Sequence, residues 1–78
     1  MIVMKFGGSS VADAGCMRQV GALVRARLDQ APLVVLSAMG KTTNALFAMA
    51  RAAEEGDLPA AMGGLAQVRA LHRAAAED

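Results

Sequence analysis

Two periods of apolar residues divide the chain. Ile2–Phe6 is an apolar run broken only by Lys5 and followed by Gly7-Gly8-Ser9-Ser10. That is the pattern of a short buried strand running into a glycine turn. Ser10 with Asp13 three residues on predicts a helix start, with the serine as cap and the acid in the first turn. From there to Leu28 the apolar positions Cys16, Val20, Leu23, Val24 and Leu28 recur at helical spacing, with Arg18, Arg25 and Asp29 on the other face. Gly15 and Gly21 each weaken such a helix by about 1 kcal/mol relative to alanine. Pro32–Leu36 is a second continuous apolar run, of the kind that suits a parallel strand covered on both faces. Ser37–Thr42 reads as a loop. A second helix is predicted from about Thr43 to Glu55, with Leu46, Phe47 and Ala50 inward and Gly56 as its stop. Pro59 fits the first turn of a third helix. Its apolar stripe is Met62, Leu65, Val68, Leu71 and Ala75, and Gly63-Gly64 predicts a kink or a late start.

The order is β-α-β-α-α. Two strands joined by a helical crossover form a parallel, right-handed unit. Two strands alone do not make a stable sheet. The chain has 78 residues, enough for one domain at most. Ordering it costs roughly 120 kcal/mol, at about 1.5 kcal/mol per residue. One cysteine excludes an internal disulfide, and one cysteine with one histidine excludes a Cys/His metal cluster. Length and topology together predict the opening unit of a larger α/β domain, with no complete second domain.

Composition narrows the function. A hydrophobic fraction of 55% is too apolar for a disordered tail. Net charge is +1, without a basic block, and two Phe with no Tyr or Trp give no platform for stacking bases, so nucleic acid is not an expected partner. No run reaches the 18 or so apolar residues of a membrane span. The N-terminus lacks a basic leader followed by a long apolar run, so a cytoplasmic setting is expected.

Parallel strands place both following loops at the carboxyl edge of the sheet, where open α/β folds bind ligands. Gly7–Ser10 and the loop through Thr43 are therefore expected to face one crevice. Neither loop carries a carboxylate, histidine or cysteine, so acid–base and thiol chemistry lack a candidate. They carry glycines, hydroxyls and two lysines ahead of helix N-termini, which favour anions. Lys5 shares a strand face with Val3, opposite Met4 and Phe6. With no acid beside it in the strand, either its stem runs to water at the sheet edge or it awaits an anion. The glycine turn two residues later favours the anion.

Gly7 and Gly8 serve either a tight turn or the close approach of phosphate oxygens. Ser9 and Ser37 are candidate ligand hydroxyls. Ser10 reads first as a helix cap, and Thr43 as a cap or a ligand hydroxyl. Lys41 is either solvated or a phosphate partner. Cys16 reads as a small core residue, His72 as a helix-end residue, and the six Met as core. Gly40-Lys41-Thr42 is not a P-loop, because the first glycine of that motif would fall at Val35, inside the strand. A G-x-G-x-x-G dinucleotide fingerprint is absent.

Lys5-Phe6-Gly7-Gly8-Ser9-Ser10-Val11-Ala12-Asp13 resembles the N-terminal signature of the aspartate kinases, K-F-G-G-[TS]-S-V-A-D. The block from Val34 to Leu46, with Ser37-Ala38-Met39-Gly40-Lys41-Thr42-Thr43-Asn44 at its centre, resembles the same family's second loop. The resemblance covers residues 1 to about 50 well and the third helix loosely. It implies the amino-acid-kinase fold, a three-layer α/β/α sandwich with parallel strands. It also implies transfer of the γ-phosphoryl of ATP to the side-chain carboxylate of L-aspartate, the first step toward lysine, threonine and methionine.

Carried over by residue, the resemblance puts Lys5 on the ATP phosphates as the catalytic lysine. Gly7, Gly8 and Ser9 line the phosphate loop, and Ser37 and Thr43 hold aspartate. Magnesium arrives with ATP, and no protein metal ligand is implied. The parent enzyme is expected to be a homo-oligomer. A carboxylate nucleophile is ionised at neutral pH and needs no base, which accounts for loops without histidine or acid. Family members are several hundred residues long, so this chain alone is expected to lack kinase activity. Two alternatives remain open: a fragment of another amino-acid kinase, and a non-catalytic module that binds an anion or nucleotide.

Overall fold

A computed structural model describes all 78 residues. In chain order the elements are strand β1 (Ile2–Phe6), helix α1 (Ala14–Arg25), strand β2 (Pro32–Leu36), helix α2 (Thr42–Glu54) and helix α3 (Leu58–Glu77). Short 3-10 turns at Gly8–Val11 and Leu28–Gln30 precede and follow α1. The α/β class and the β-α-β-α-α order match the sequence reading. The chain divides into two compact units, Met1–Gly40 and Lys41–Asp78.

The first unit is a β-α-β crossover. β1 and β2 pair in parallel, with Ile2 opposite Pro32, Lys5 opposite Val35 and Phe6 opposite Leu36. Alternation along each strand leaves Ile2, Met4, Phe6, Pro32 and Val34 partly covered, while Val3, Lys5, Leu33 and Val35 are exposed. A sheet covered on both faces was expected of such apolar runs. Instead one face is open, with Val3 63% and Leu33 53% exposed. The buried residues of this unit, Val11, Ala14 and Met39, gather where the glycine turn and the loop after β2 meet.

α1 begins later than the sequence pattern predicts, and its cap is a different residue. Asp13, in extended conformation, accepts a hydrogen bond from the Cys16 N–H at 2.8 Å. Ser10 makes no cap, because residues 8–11 wind into a 3-10 turn whose first bond runs from Ser10 N–H to the Gly7 carbonyl. Ser10 and Asp13 are both good caps. The acid wins because it stands directly ahead of the first helical residue. After α1 the chain leaves the 3-10 turn through Ala31, an alanine in the left-handed region at φ 51°. The following proline disfavours the right-handed helical alternative there.

The second unit is a helical hairpin. Asp57 caps α3 by accepting from the Ala60 N–H at 3.1 Å, and Pro59 sits in the first turn as predicted. Gly56, at φ 77°, stops α2 as predicted. The buried face of α2 differs from the sequence expectation. Thr42, Ala45, Met49 and Ala52 are covered, whereas Leu46 is exposed and Phe47 is 72% exposed. On α3 the covered line is Ala61, Gly64, Val68 and Ala75, whereas Met62, Leu65 and Leu71 of the predicted stripe are exposed.

Small residues won the interface because they let the two backbones approach closely. At Gly64 a Cβ would lie 2.5 Å from Met49 Cγ and 3.3 Å from its sulfur. That close packing accounts for Gly64, and α3 runs unbroken through Gly63-Gly64.

Candidate functional site

The register of the sheet puts the two glycine loops side by side. The ladder continues one bond past the strands, from Ser37 N–H to the Phe6 carbonyl at 3.0 Å. Beyond it the chains would normally part. Instead the Gly40 N–H donates to the Gly8 carbonyl at 3.0 Å, and Gly40 turns with φ 51°. A Cβ on Gly8 would lie 2.8 Å from the Gly40 oxygen and 3.3 Å from the Ala38 oxygen, both backbone atoms. Gly8 is therefore needed for loop-on-loop contact.

Gly7 differs. No atom lies within 4 Å of its missing side chain. Its backbone, φ −78° and ψ 177°, is one that any residue adopts. Nothing within the chain demands a glycine there, and the open space lies at the carboxyl edge of β1.

Lys5 projects from the exposed sheet face two residues before this turn. It forms no ion pair, and the nearest acid in sequence, Asp13, is engaged at the α1 cap. Ser9 and Ser37 are exposed at the same edge. The N–H groups of Gly8 and Ser9 stand ahead of the first bond of the 3-10 turn, so the turn itself gives them no acceptor. The structure thus brings Lys5, Gly7, Gly8, Ser9 and Ser37 together within the first unit. Thr43 belongs to the second, exposed in the first turn of α2. That turn has no side-chain cap, since Lys41 occupies the capping position.

Beside this edge a groove of about 280 Å³ runs along α1, bounded by Phe6, Ser9, Ser10, Cys16, Gln19, Val20 and Leu23. Cys16, one of its wall residues, is tied to the Asp13 carboxylate. The Asp13 carboxyl is held below the usual carboxylate range by the Cys16 backbone N–H and then by the thiol. The Cys16 thiol is pushed up because it donates to that carboxylate. A thiol so held is a poor nucleophile at neutral pH, in keeping with a packing role. His72 is likewise occupied locally, its Nδ1 lying 2.8 Å from the Val68 carbonyl one turn back.

Of the methionines read as core, Met39 is buried but Met1, Met17 and Met62 are exposed, and sequence reasoning missed the Gly40–Gly8 bond. The paired glycines at 8 and 40 were the available signal for that bond. No helix is long and apolar enough to cross a membrane.

Comparison with known proteins adds to this geometry. Residues 1–77 match the amino acid kinase family. Over 45 residues the chain is 58% identical to aspartokinase 1, chloroplastic, of Arabidopsis thaliana and 62% identical to aspartokinase 3, chloroplastic, of the same plant. Each stretch covers 58% of this chain and 8% of the relative. An aspartokinase of Mycobacterium tuberculosis is 45% identical over 53 residues, which are 65% of this chain and 13% of that protein. The chain thus spans about a tenth of the length of these curated relatives.

Proposed function

The chain belongs to the amino acid kinase family, and from that membership we propose that it forms the N-terminal, phosphate-binding part of an aspartate kinase catalytic domain. The reaction is transfer of the γ-phosphoryl of ATP to the side-chain carboxylate of L-aspartate. The observation that carries this reading is the Gly40–Gly8 backbone bond, which holds both signature loops on one sheet edge beside an unpaired lysine. The aspartokinase names of the matched relatives support the choice of substrate.

In the reaction a carboxylate oxygen of aspartate attacks the γ-phosphorus. The bond from that phosphorus to the β–γ bridging oxygen breaks, and ADP leaves with the electron pair. Neither partner needs a proton moved, so the work is positioning and charge neutralisation. Lys5 neutralises phosphate charge across the open Gly7 position. Gly8 and Ser9 offer backbone N–H groups to phosphate oxygens. Ser37, at the end of β2, and Thr43, in the first turn of α2, are each proposed as contacts for aspartate. MgATP enters as one substrate complex.

The pathway setting is lysine, threonine and methionine synthesis in the cytoplasm, with a homo-oligomeric parent enzyme.

The test has two arms. MgATP is titrated into the chain and into Lys5→Met while backbone amide spectra are recorded. Aspartyl phosphate is assayed in parallel as its hydroxamate. The proposal expects saturable shifts at Gly7–Ser9, their loss in Lys5→Met, and no product from the chain alone. Shifts unchanged by Lys5→Met would refute the assignment of the lysine. Shifts with UMP equal to those with MgATP would refute the substrate class.

A further inference from the structure

The helical hairpin has two unlike sides. Ala48 and Ala52 of α2 and Ala60, Gly63 and Gln67 of α3 line a groove along one of them. At about 100° per residue, Leu46 lies roughly opposite Ala48 around α2, and Leu58, Met62 and Leu65 lie roughly opposite Gly63 and Gln67 around α3. These four large side chains therefore share the other side of the hairpin. They stand in water there, Leu46 51% exposed, Leu58 66%, Met62 54% and Leu65 36%. Along α3 the line Leu58, Met62, Leu65 and Arg69 advances by four, three and four residues. That is the spacing of a seam that packs against another helix.

We propose that this ridge is a self-association surface, and that its occupant is a second copy of the chain docked α3 on α3 about a two-fold axis. The charge on either side of the ridge is self-complementary. The hairpin turn carries Glu54, Glu55 and Asp57, and the far end of the ridge carries Arg69 and Arg73. Glu54, Glu55, Arg69 and Arg73 are exposed and form no ion pair within the chain. From the midpoint between Met62 and Leu65, Asp57 lies about 10 Å back along α3 and the arginines about 8–14 Å forward, at a rise of 1.5 Å per residue. A two-fold axis at that midpoint lays α3 antiparallel on its copy. Met62 then meets Leu65 twice, and each acidic turn lies beside the other copy's arginines, an isologous contact that closes at two chains.

The size agrees. The four ridge residues leave on the order of 400 Å² in water, the scale of a functional patch. That is most of the apolar share of a standard interface of about 800 Å² per partner, with the charged ends as its polar rim. Phe47, 72% exposed, lies about 100° beyond Leu46 around α2 and stays outside the contact. Lys5 and Gly7–Ser9 belong to the first unit, so the contact does not rest on the phosphoryl-transfer reading.

The test is sedimentation equilibrium of the full 8.0 kDa chain over a concentration series. A monomer–dimer equilibrium with a Kd in the micromolar range, on the order of 1–100 µM, is expected. Met62→Lys sets an ammonium at the axis from an exposed position. It should weaken the dimer by about 100-fold or more, with helix content by circular dichroism unchanged. Phe47→Lys should leave the Kd as it is. Two charge reversals test the register. Glu54→Arg with Glu55→Arg, and separately Arg69→Glu with Arg73→Glu, should each weaken self-association by about ten-fold or more. An equimolar mixture of these two variants should recover a dimer of one chain of each.

A single species of 8.0 kDa at every concentration would overturn the proposal and assign the ridge to a different partner. A dimer that survives Met62→Lys would overturn it by placing the contact elsewhere, the open sheet face included. Assemblies larger than two chains would overturn the closed two-fold. Failure of the charge-reversed mixture to associate would overturn the antiparallel register. The response of Gly7–Ser9 to MgATP bears on none of these outcomes.

Discussion

Substituting alanine at two neighbouring glycines should separate architecture from ligand binding. In Gly8→Ala the new methyl falls 2.8 Å from the Gly40 carbonyl oxygen and 3.3 Å from that of Ala38. Both are backbone atoms, so no side chain can swing away and the second loop must move by several tenths of an ångström. Overpacking of that kind costs about 1–3 kcal/mol. Displacing Gly40 also loses its 3.0 Å bond to the Gly8 carbonyl, worth about 1 kcal/mol net. The expected loss is therefore about 2–4 kcal/mol. A chain of this size has a total stability of about 4–12 kcal/mol, so the change is severe. At about 4–8 °C per kcal/mol, it lowers Tm by at least 8 °C.

Gly7→Ala is the internal control. Its methyl meets nothing within 4 Å, and φ −78° suits alanine. Restricting the unfolded chain should make it neutral or stabilising by about 0.4–1 kcal/mol. Urea and thermal melts followed by circular dichroism at the helix band measure both variants, and MgATP titration follows. Gly7→Ala is expected to keep its stability and lose MgATP. A Gly8→Ala melt within about 0.5 kcal/mol of the parent would refute the loop-contact argument. A strongly destabilised Gly7→Ala would refute the claim that the chain leaves that position open.

The helix glycines give a graded set of outcomes. Gly21→Ala and Gly63→Ala add a methyl where nothing lies within 4 Å, and each should stabilise by up to about 1 kcal/mol in chemical denaturation. Gly64→Ala pushes on Met49 Cγ and should fail to show that gain, whereas Gly64→Ala combined with Met49→Ala should display a coupling of about 1 kcal/mol or more in a double-mutant cycle. Ala31→Gly relieves the left-handed alanine and should stabilise by about 0.5–1 kcal/mol, read as a higher urea midpoint at unchanged slope.

Asp13 has its carboxyl pKa depressed in the folded chain. Its contribution is therefore complete above the unfolded carboxylate value near pH 4 and is lost as pH falls through the lower folded value. Asp13→Asn should flatten stability against pH in that acid window. The same variant frees the Cys16 thiol from its acceptor and should speed its alkylation at pH 8, since the thiol is raised by that carboxylate.

Several features were legible in the chain before any coordinates. The strands at Ile2–Phe6 and Pro32–Leu36 matched to the residue, because uninterrupted apolar runs between turn residues allow little else. Pro59 and Gly56 marked helix ends correctly, since proline lacks the N–H that a helix interior needs and glycine tolerates φ 77°. The parallel pairing followed from the length of the crossover, and with it the approach of the loops that follow the strands.

Tertiary packing alone decided which face of each hairpin helix is covered. Leu46 and Phe47 are larger and more apolar than Ala45 and Ala52, yet the alanines are the covered pair. Hydrophobic size predicts what benefits from burial, while backbone approach selects what fits, and these criteria point to opposite faces of α2. The same distinction separates Gly7 from Gly8, identical in sequence, one open and one pressed against a carbonyl oxygen. It also explains Thr42, whose hydroxyl became buried and unpaired because its position in the helix, rather than its polarity, set its surroundings.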